Sequence, residues 1–204
     1  MRHVTSKRIT LALVPTRDTA LRFDAGRYSL NLAATLGSRT SGRPVERIGT
    51  TARLAEWFSR SGLTVPSIPV ASADLAVAHE LRDAVWRLAH ARLDRSAPGQ
   101  AAVRCVNRVA AAAPLPPPEL SINGAGALAR VRPPAPDAPT ALAVVARDAI
   151  DLLTGEQAAA LHACAADGCS MIFVDESGRR RYCDPSRCGT RTRVAALRAR
   201  RRAS

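Results

Sequence analysis

Four of the five cysteines in this 204-residue chain lie between positions 164 and 188, spaced as Cys164-x4-Cys169 and Cys183-x4-Cys188 with thirteen residues between the pairs. Two close pairs on a short spacer suit a tetrahedral metal such as zinc. Each pair forms a tight knuckle that presents two thiolates from one side, and the spacer lets the second knuckle fold back opposite the first. A pair of disulfides is the rival reading. It needs an oxidising compartment, and the apolar run Leu11 to Val14 is too short for the h-region of a signal peptide. Four thiolates leave no open coordination position, so the expected group is one structural zinc ion with no catalytic part. His162, two residues before the first cysteine, is the one residue that could substitute as a ligand.

The spacer and the tail indicate what such a module would serve. Ser170 to Asp175 and Arg179 to Cys183 read as two short strands joined by Glu176-Ser177-Gly178, which predicts a hairpin between the knuckles. From Cys188 onward the chain holds helix formers and no proline, with one glycine at the start. Knuckle, hairpin, and a knuckle that opens a helix make a treble-clef-like order. A unit this small cannot hold itself by burial alone, so metal binding and folding are expected to be one event. At about 100° per residue, Val194 and Leu197 share one side of the helix, the expected seam against the zinc core. Arg191, Arg198 and Arg202 flank that seam on one side, and Arg193 and Arg200 on the other.

With Arg179, Arg180, Arg181, Arg187 and Arg201, these make ten arginines against four acids after position 163, a net +6 of the chain's +13. Guanidinium forks grip phosphate oxygens bidentately, and one or two can reach a guanine edge, so these ten residues are the candidate nucleic-acid contacts. A solvated basic tail is the plain alternative.

Residues 164 to 191 resemble the CGNR zinc finger found at the C-terminus of bacterial proteins described as stress-induced transcription regulators. Tyr182 stands at the family's aromatic before the third cysteine, and Phe173, Asp175 and Ser177 match its Phe-x-Asp-x-Ser element. Cys188-Gly189-Thr190-Arg191 carries threonine where the family has asparagine. The stretch from Phe23 to Leu36 is similar to the start of the ABATE domain that accompanies this finger. There Asn31 stands in place of an aspartate and Ala34 in place of an asparagine, while Thr35 is retained. The resemblance implies DNA binding by the finger. For the two polar positions it leaves either a ligand pocket, part of which this chain would lack, or a helix-capping network.

The elements that must carry this finger follow from composition and period. With 47% hydrophobic residues and 3% aromatics, dominated by alanine and leucine, the chain predicts a packed, mainly α fold. The expected architecture is a helical N-terminal domain with a small β-hairpin, plus the treble-clef-like zinc finger with its hairpin and basic helix. The boundaries are an arm over 1–22, a helical ABATE-like regulatory domain over 23–155, and the finger with its basic helix over 156–204.

Helices are expected over residues 50 to 61, with Leu54, Trp57 and Phe58 inward and Gly62 as the stop, and from an N-cap at Ser72 to about Asp94. His79 and His90 share the second helix but stand about 16 Å apart along its axis, too far for one metal. A third helix spans about Gly99 to Ala113, in which Cys105 reads as a small buried hydrophobe and, as a lesser alternative, a redox sensor. A hairpin across Asn123-Gly124 and a helix from Thr140 to Leu153 follow. Thr154-Gly155-Glu156-Gln157 has capping-box spacing and predicts a last short helix running straight into Cys164 with no flexible linker.

Three classes of function remain. The first is a cytoplasmic, nucleoid-associated regulator whose finger contacts double-stranded DNA while the N-terminal domain senses a small-molecule effector or forms a homodimer. The second is an RNA-binding or ribosome-associated protein, or a zinc-stapled protein-interaction module. The third, an enzyme, finds no support: there is no Gly-rich phosphate loop, no His-Glu-x-x-His, and no nucleophile with a spaced base. No apolar run reaches the ~18 residues that a membrane span needs.

Overall fold

Residues 19–64, 68–115 and 117–203 are described by the computed structural model. In chain order, helix α1 (Tyr28–Ala33) leads to a short antiparallel pair, β1 (Leu36–Gly37) with β2 (Val45–Glu46). Helices α2 (Thr51–Arg60), α3 (Ser72–Leu93) and α4 (Gln100–Ala110) follow, then the hairpin β3 (Glu119–Ile122) with β4 (Leu128–Val131), and helix α5 (Ala138–Thr154). The finger holds a 3-10 turn (Glu156–Ala160), the antiparallel pair β5 (Leu161–Ala163) and β6 (Ile172–Val174), a π-type turn (Pro185–Gly189) and helix α6 (Thr190–Ala203). The expected mainly α architecture is therefore present.

Alanine, valine and leucine recur all round the first half of α5, up to Ala146, and a segment apolar on every face must be surrounded. Leu142, Val145, Ala149 and Leu152 are buried, and α1, α3 and α4 pack around the helix. Asp137 starts it by accepting the Thr140 N–H at 2.8 Å, with Pro139 in the first turn where a missing N–H costs nothing. Leu54, Trp57 and Phe58 of α2 are fully buried, each contributing roughly 2–3 kcal/mol by area removed from water. Gly62 ends that stretch at φ +69°, a left-handed conformation that favours glycine. Leu81, Val85 and Leu88 of α3 face the same core.

Several local expectations give way. The long helix is capped at Ala71, whose N–H donates to Asp74 at 2.8 Å, so Ser72 is its first residue and not its cap. Thr154 is the last residue of α5, its hydroxyl donating back to the Ile150 carbonyl, and the capping-box helix is replaced by the 3-10 turn and β5. Cys105 is only half-buried, because Val106 and Val109 take the inward positions of α4. The hairpin at 119–131 forms as expected, closed by a longer loop in which the Asn123 side chain accepts the N–H groups of Ala125 and Ala127.

The finger's hairpin is paired differently from the sequence reading. Ile172–Val174 is a strand, but its partner is Leu161–Ala163, before the first cysteine. Arg179–Cys183 is not a strand. Asp175 explains the difference: its carboxylate accepts the Ser177 hydroxyl at 2.6 Å and the Arg180 N–H at 2.7 Å, closing a tight turn that leads the chain away from β6. Burial of Leu161, Ile172 and Phe173 then fixes the β5–β6 register.

Residues 1–18 of the expected arm lie outside the described residues. The last of it is packed: Leu21 and Arg22 are buried, with Arg22 directed at the finger.

Candidate functional site

Each half of the sulfur cluster is set by local hydrogen bonding. β5 ends at Ala163 and delivers Cys164, whose N–H donates to the Met171 carbonyl at 2.9 Å. Gly168, at φ +67°, turns the chain back to Cys169. In the second knuckle Asp184 accepts from Ser186 N–H at 2.8 Å and from Arg187 N–H at 3.2 Å, an Asp-Pro turn that wraps Cys183 and Cys188 toward each other. The Cys183 N–H donates to the Cys164 sulfur at 3.4 Å.

The four sulfurs lie within 4.8 Å of one another. Cys169 to Cys183 and Cys169 to Cys188 are each 3.8 Å, and Cys183 to Cys188 is 3.5 Å. A tetrahedron of zinc–sulfur bonds of about 2.3 Å has edges of roughly 3.8 Å, so the cluster fits the ion. None of the five cysteines forms a disulfide. One structural zinc is held by Cys164, Cys169, Cys183 and Cys188. His162 does not join them; it stacks on Phe173 with ring centroids 6.0 Å apart.

Crowding four thiols sets them against one another. Hydrogen bonds with Cys169 and Cys183 push the Cys164 pKa far below its ordinary value, making it the first to ionise. Hydrogen bonding to Cys164 raises Cys169 to about 11. Burial, with the charge of Cys183, raises Cys188 to about 12. Cys183 is raised further still, by its bonds to Cys164 and Cys169 and by burial. A divalent cation inverts this order by stabilising every thiolate at once.

Arg22 donates to the Cys183 sulfur at 3.6 Å and pairs with Asp24. Burial opposes its charge, but Asp24 and the sulfur outweigh that penalty and hold its pKa above the ordinary value. Nothing in sequence signals this contact, because 161 residues separate the partners. In sequence, Asp184 is marked only by its Asp-Pro-Ser turn signal.

The ten candidate arginines divide. Arg180 is half-buried over the Phe173 ring at 4.5 Å, and its guanidinium donates to the Cys183 carbonyl at 2.6 Å. Arg191 donates to the Asp167 carbonyl at 3.1 Å and approaches the Cys188 sulfur at 4.0 Å, tying α6 to the first knuckle. Arg187 is half-buried in the turn before α6. Arg179 and Arg181 are exposed, the latter near the Tyr182 ring, and Arg193, Arg198, Arg200, Arg201 and Arg202 are exposed along α6.

The expected seam is absent. Val194 and Leu197 are 39% and 56% exposed, and α6 packs mainly on the turn that leads into it. Arg201 winds onto the same side as these two residues, so that face carries a charge and cannot close against a core.

The finger is fused to the body. The Trp86 indole N–H donates to the Ser170 carbonyl at 2.9 Å, the Arg39 N–H donates to the Ser170 hydroxyl at 3.2 Å, and the Val174 N–H donates to the Ala25 carbonyl at 3.0 Å. Asn31 accepts the Ala25 N–H at 3.0 Å and the Thr35 hydroxyl donates to the Leu32 carbonyl at 2.7 Å, so both side chains are engaged locally around α1, while Ala34 offers no polar group.

Fold and site together define a mainly α protein with a four-cysteine zinc finger that ends in a basic helix. Residues 26–156 match the family model ABATE, described as "putative stress-induced transcription regulator", and residues 161–201 match the CGNR zinc finger. The chain belongs to the ABATE family, with a CGNR zinc finger at its C-terminal end. A comparison with curated proteins finds no match. No helix among the described residues is long and apolar enough to cross a membrane.

Proposed function

We propose that the protein is a zinc-dependent, DNA-binding transcription regulator, acting on the nucleoid in the cytoplasm, with a helical body that senses a signal or dimerises. The observation that carries this reading is α6: it leaves the body with Arg193, Arg198, Arg200, Arg201 and Arg202 exposed, and alanines keep one side slim. A narrow helix with guanidiniums on several sides suits the major groove, where phosphates position and base edges specify. Arg179 and Arg181 extend the same basic surface, while Arg180 and Arg191 brace the knuckles and the helix start. The aromatics give little support to single-stranded RNA, which needs exposed rings for stacking. Phe173 is buried beneath Arg180, and the Tyr182 ring lies against Gly189.

The test is binding of the zinc-loaded protein to random duplex DNA across a salt series, with duplex and single-stranded RNA in parallel. Duplex DNA is expected to bind best, with a steep negative slope of log affinity on log salt. Arg198→Ala with Arg201→Ala should reduce that slope by about 2 and retain zinc. Equal or better RNA binding would move the protein to the second class. An unchanged slope in the folded double variant would show that α6 is not the contact surface.

A further inference from the structure

Between the finger and the helical body lies a cavity of about 460 Å³. The body contributes Arg22 and Arg47 to its wall, the finger contributes Arg187 and Arg191, and Leu36 and Met171 supply apolar surface. Among the described residues no carboxylate lines it. Clustered guanidiniums repel one another and are ordinarily interleaved with negative groups, and here the zinc ligands Cys169 and Cys188 share the wall.

Balancing the sulfurs accounts for part of the cluster. Arg22 and Arg191 reach Cys183 and Cys188, and a zinc ion on four thiolates carries a formal charge of −2. With Asp24 paired to Arg22, three negative charges stand against four guanidiniums, and Arg47 donates to the Ala34 carbonyl at 3.1 Å. Its guanidinium lies flat on Gly37, where a side-chain carbon would come within 2.4 Å of Nη1. Glycine at 37 is therefore what lets this guanidinium reach the cavity. Val45 and Ala34 continue the apolar side, and the residues of Ser38 and Ser186 stand among the polar ones. A cavity within the ordinary volume range for small ligands, lined by guanidiniums and apolar side chains together, selects an amphiphilic anion.

We propose that this cleft binds a small organic anion, a carboxylate or phosphate monoester on an apolar body, with the oxyanion held by the arginines. Body and finger each supply part of the wall, so occupancy fastens one to the other at the root of α6. The cleft thus provides the signal-sensing step of the regulator reading, on which its regulatory meaning rests, whereas the binding itself does not depend on DNA.

The experiment is isothermal titration of the full-length, zinc-loaded chain at constant ionic strength with phenyl phosphate, benzoate, and neutral benzyl alcohol. At least one of the two anions is expected to bind saturably, one molecule per chain, and about tenfold or more tighter than benzyl alcohol. Arg187→Gln, and separately Val45→Phe to fill the cavity, should each weaken the anion by about tenfold with zinc content unchanged. The triple variant Arg200→Gln, Arg201→Gln, Arg202→Gln should keep it. No saturable anion binding, equal binding of benzyl alcohol, or loss in the triple variant with retention in Arg187→Gln and Val45→Phe would overturn the proposal. A DNA titration of the same sample separates the two readings. Anion binding without DNA binding sinks the regulator reading and leaves the cleft assignment standing, and DNA binding without anion binding does the reverse.

Discussion

At the scale of single residues, the thiols of Cys169, Cys183 and Cys188 control how tightly the metal is held. Their pKa values are raised by mutual hydrogen bonding and burial, to about 11 for Cys169 and about 12 for Cys188, so at neutral pH all three keep their protons until zinc displaces them. Cys164 is shifted the other way, by its hydrogen bonds with Cys169 and Cys183. Raised pKa values mean that protons compete with the metal, so affinity grows as pH rises. The zinc dissociation constant is expected to fall by on the order of a thousandfold per pH unit between about pH 5.5 and 7.5, with about three protons released per ion. Competition with a chelator, with proton release read from titrations in buffers of different ionisation enthalpy, measures both. A slope near four, with four protons released, would show that Cys164 enters zinc binding protonated like the others and that the crowding argument fails.

At the scale of elements, α6 is anchored at its first turn. The Thr192 hydroxyl donates to the Cys188 carbonyl at 3.0 Å, Arg193 donates to the Thr190 hydroxyl at 3.1 Å, and Tyr182 packs against Gly189. Beyond that turn the helix has no apolar support, since Val194 and Leu197 face solvent. Replacing both by serine should therefore change the unfolding free energy by less than ~0.5 kcal/mol and leave zinc content intact. A loss of roughly 2 kcal/mol or more in thermal or denaturant unfolding would restore the seam expected from sequence. The threonine at 190, where the family has asparagine, fits this arrangement: it accepts from Arg193, and its own hydroxyl reaches the Pro185 carbonyl at 3.5 Å.

For the whole molecule, the fused junction makes the finger and the body one mechanical unit. Ser170, next to Cys169, is gripped by Trp86 and by Arg39, whose guanidinium lies 5.1 Å from the Trp86 ring centroid and pairs with Asp83. Chelating the zinc should therefore be felt in α3. In a Trp57→Phe background, which removes a buried indole N–H that has no partner, Trp86 is the remaining tryptophan. Its fluorescence should shift together with zinc release, while the helical circular dichroism of α2 to α5 largely persists. An emission spectrum unmoved by complete chelation would show that body and finger are uncoupled.

The sequence alone determined what depends on residue type and short spacing. The zinc ligands were legible because four cysteines in two x4 pairs satisfy a fixed coordination geometry, and α2, α3 and α5 were legible because their apolar residues repeat at the helical period. Pairing in the finger was not legible. Ile172–Val174 suits either neighbour as a partner, and only the turn closed by Asp175, together with burial of Leu161 and Phe173, selects β5. Tertiary structure also decided the roles of the arginines. Ten identical side chains look alike in sequence, but Arg180 stacks on Phe173, Arg191 ties α6 to the first knuckle, and Arg198 and Arg201 are left to solvent. Arg22 and Arg47 reach the zinc module's edge from far earlier in the chain, and no local period encodes a contact across such a distance. Local physics fixes elements and ligand sets; which face meets which partner is set by packing, where long-range burial chooses among locally equivalent arrangements.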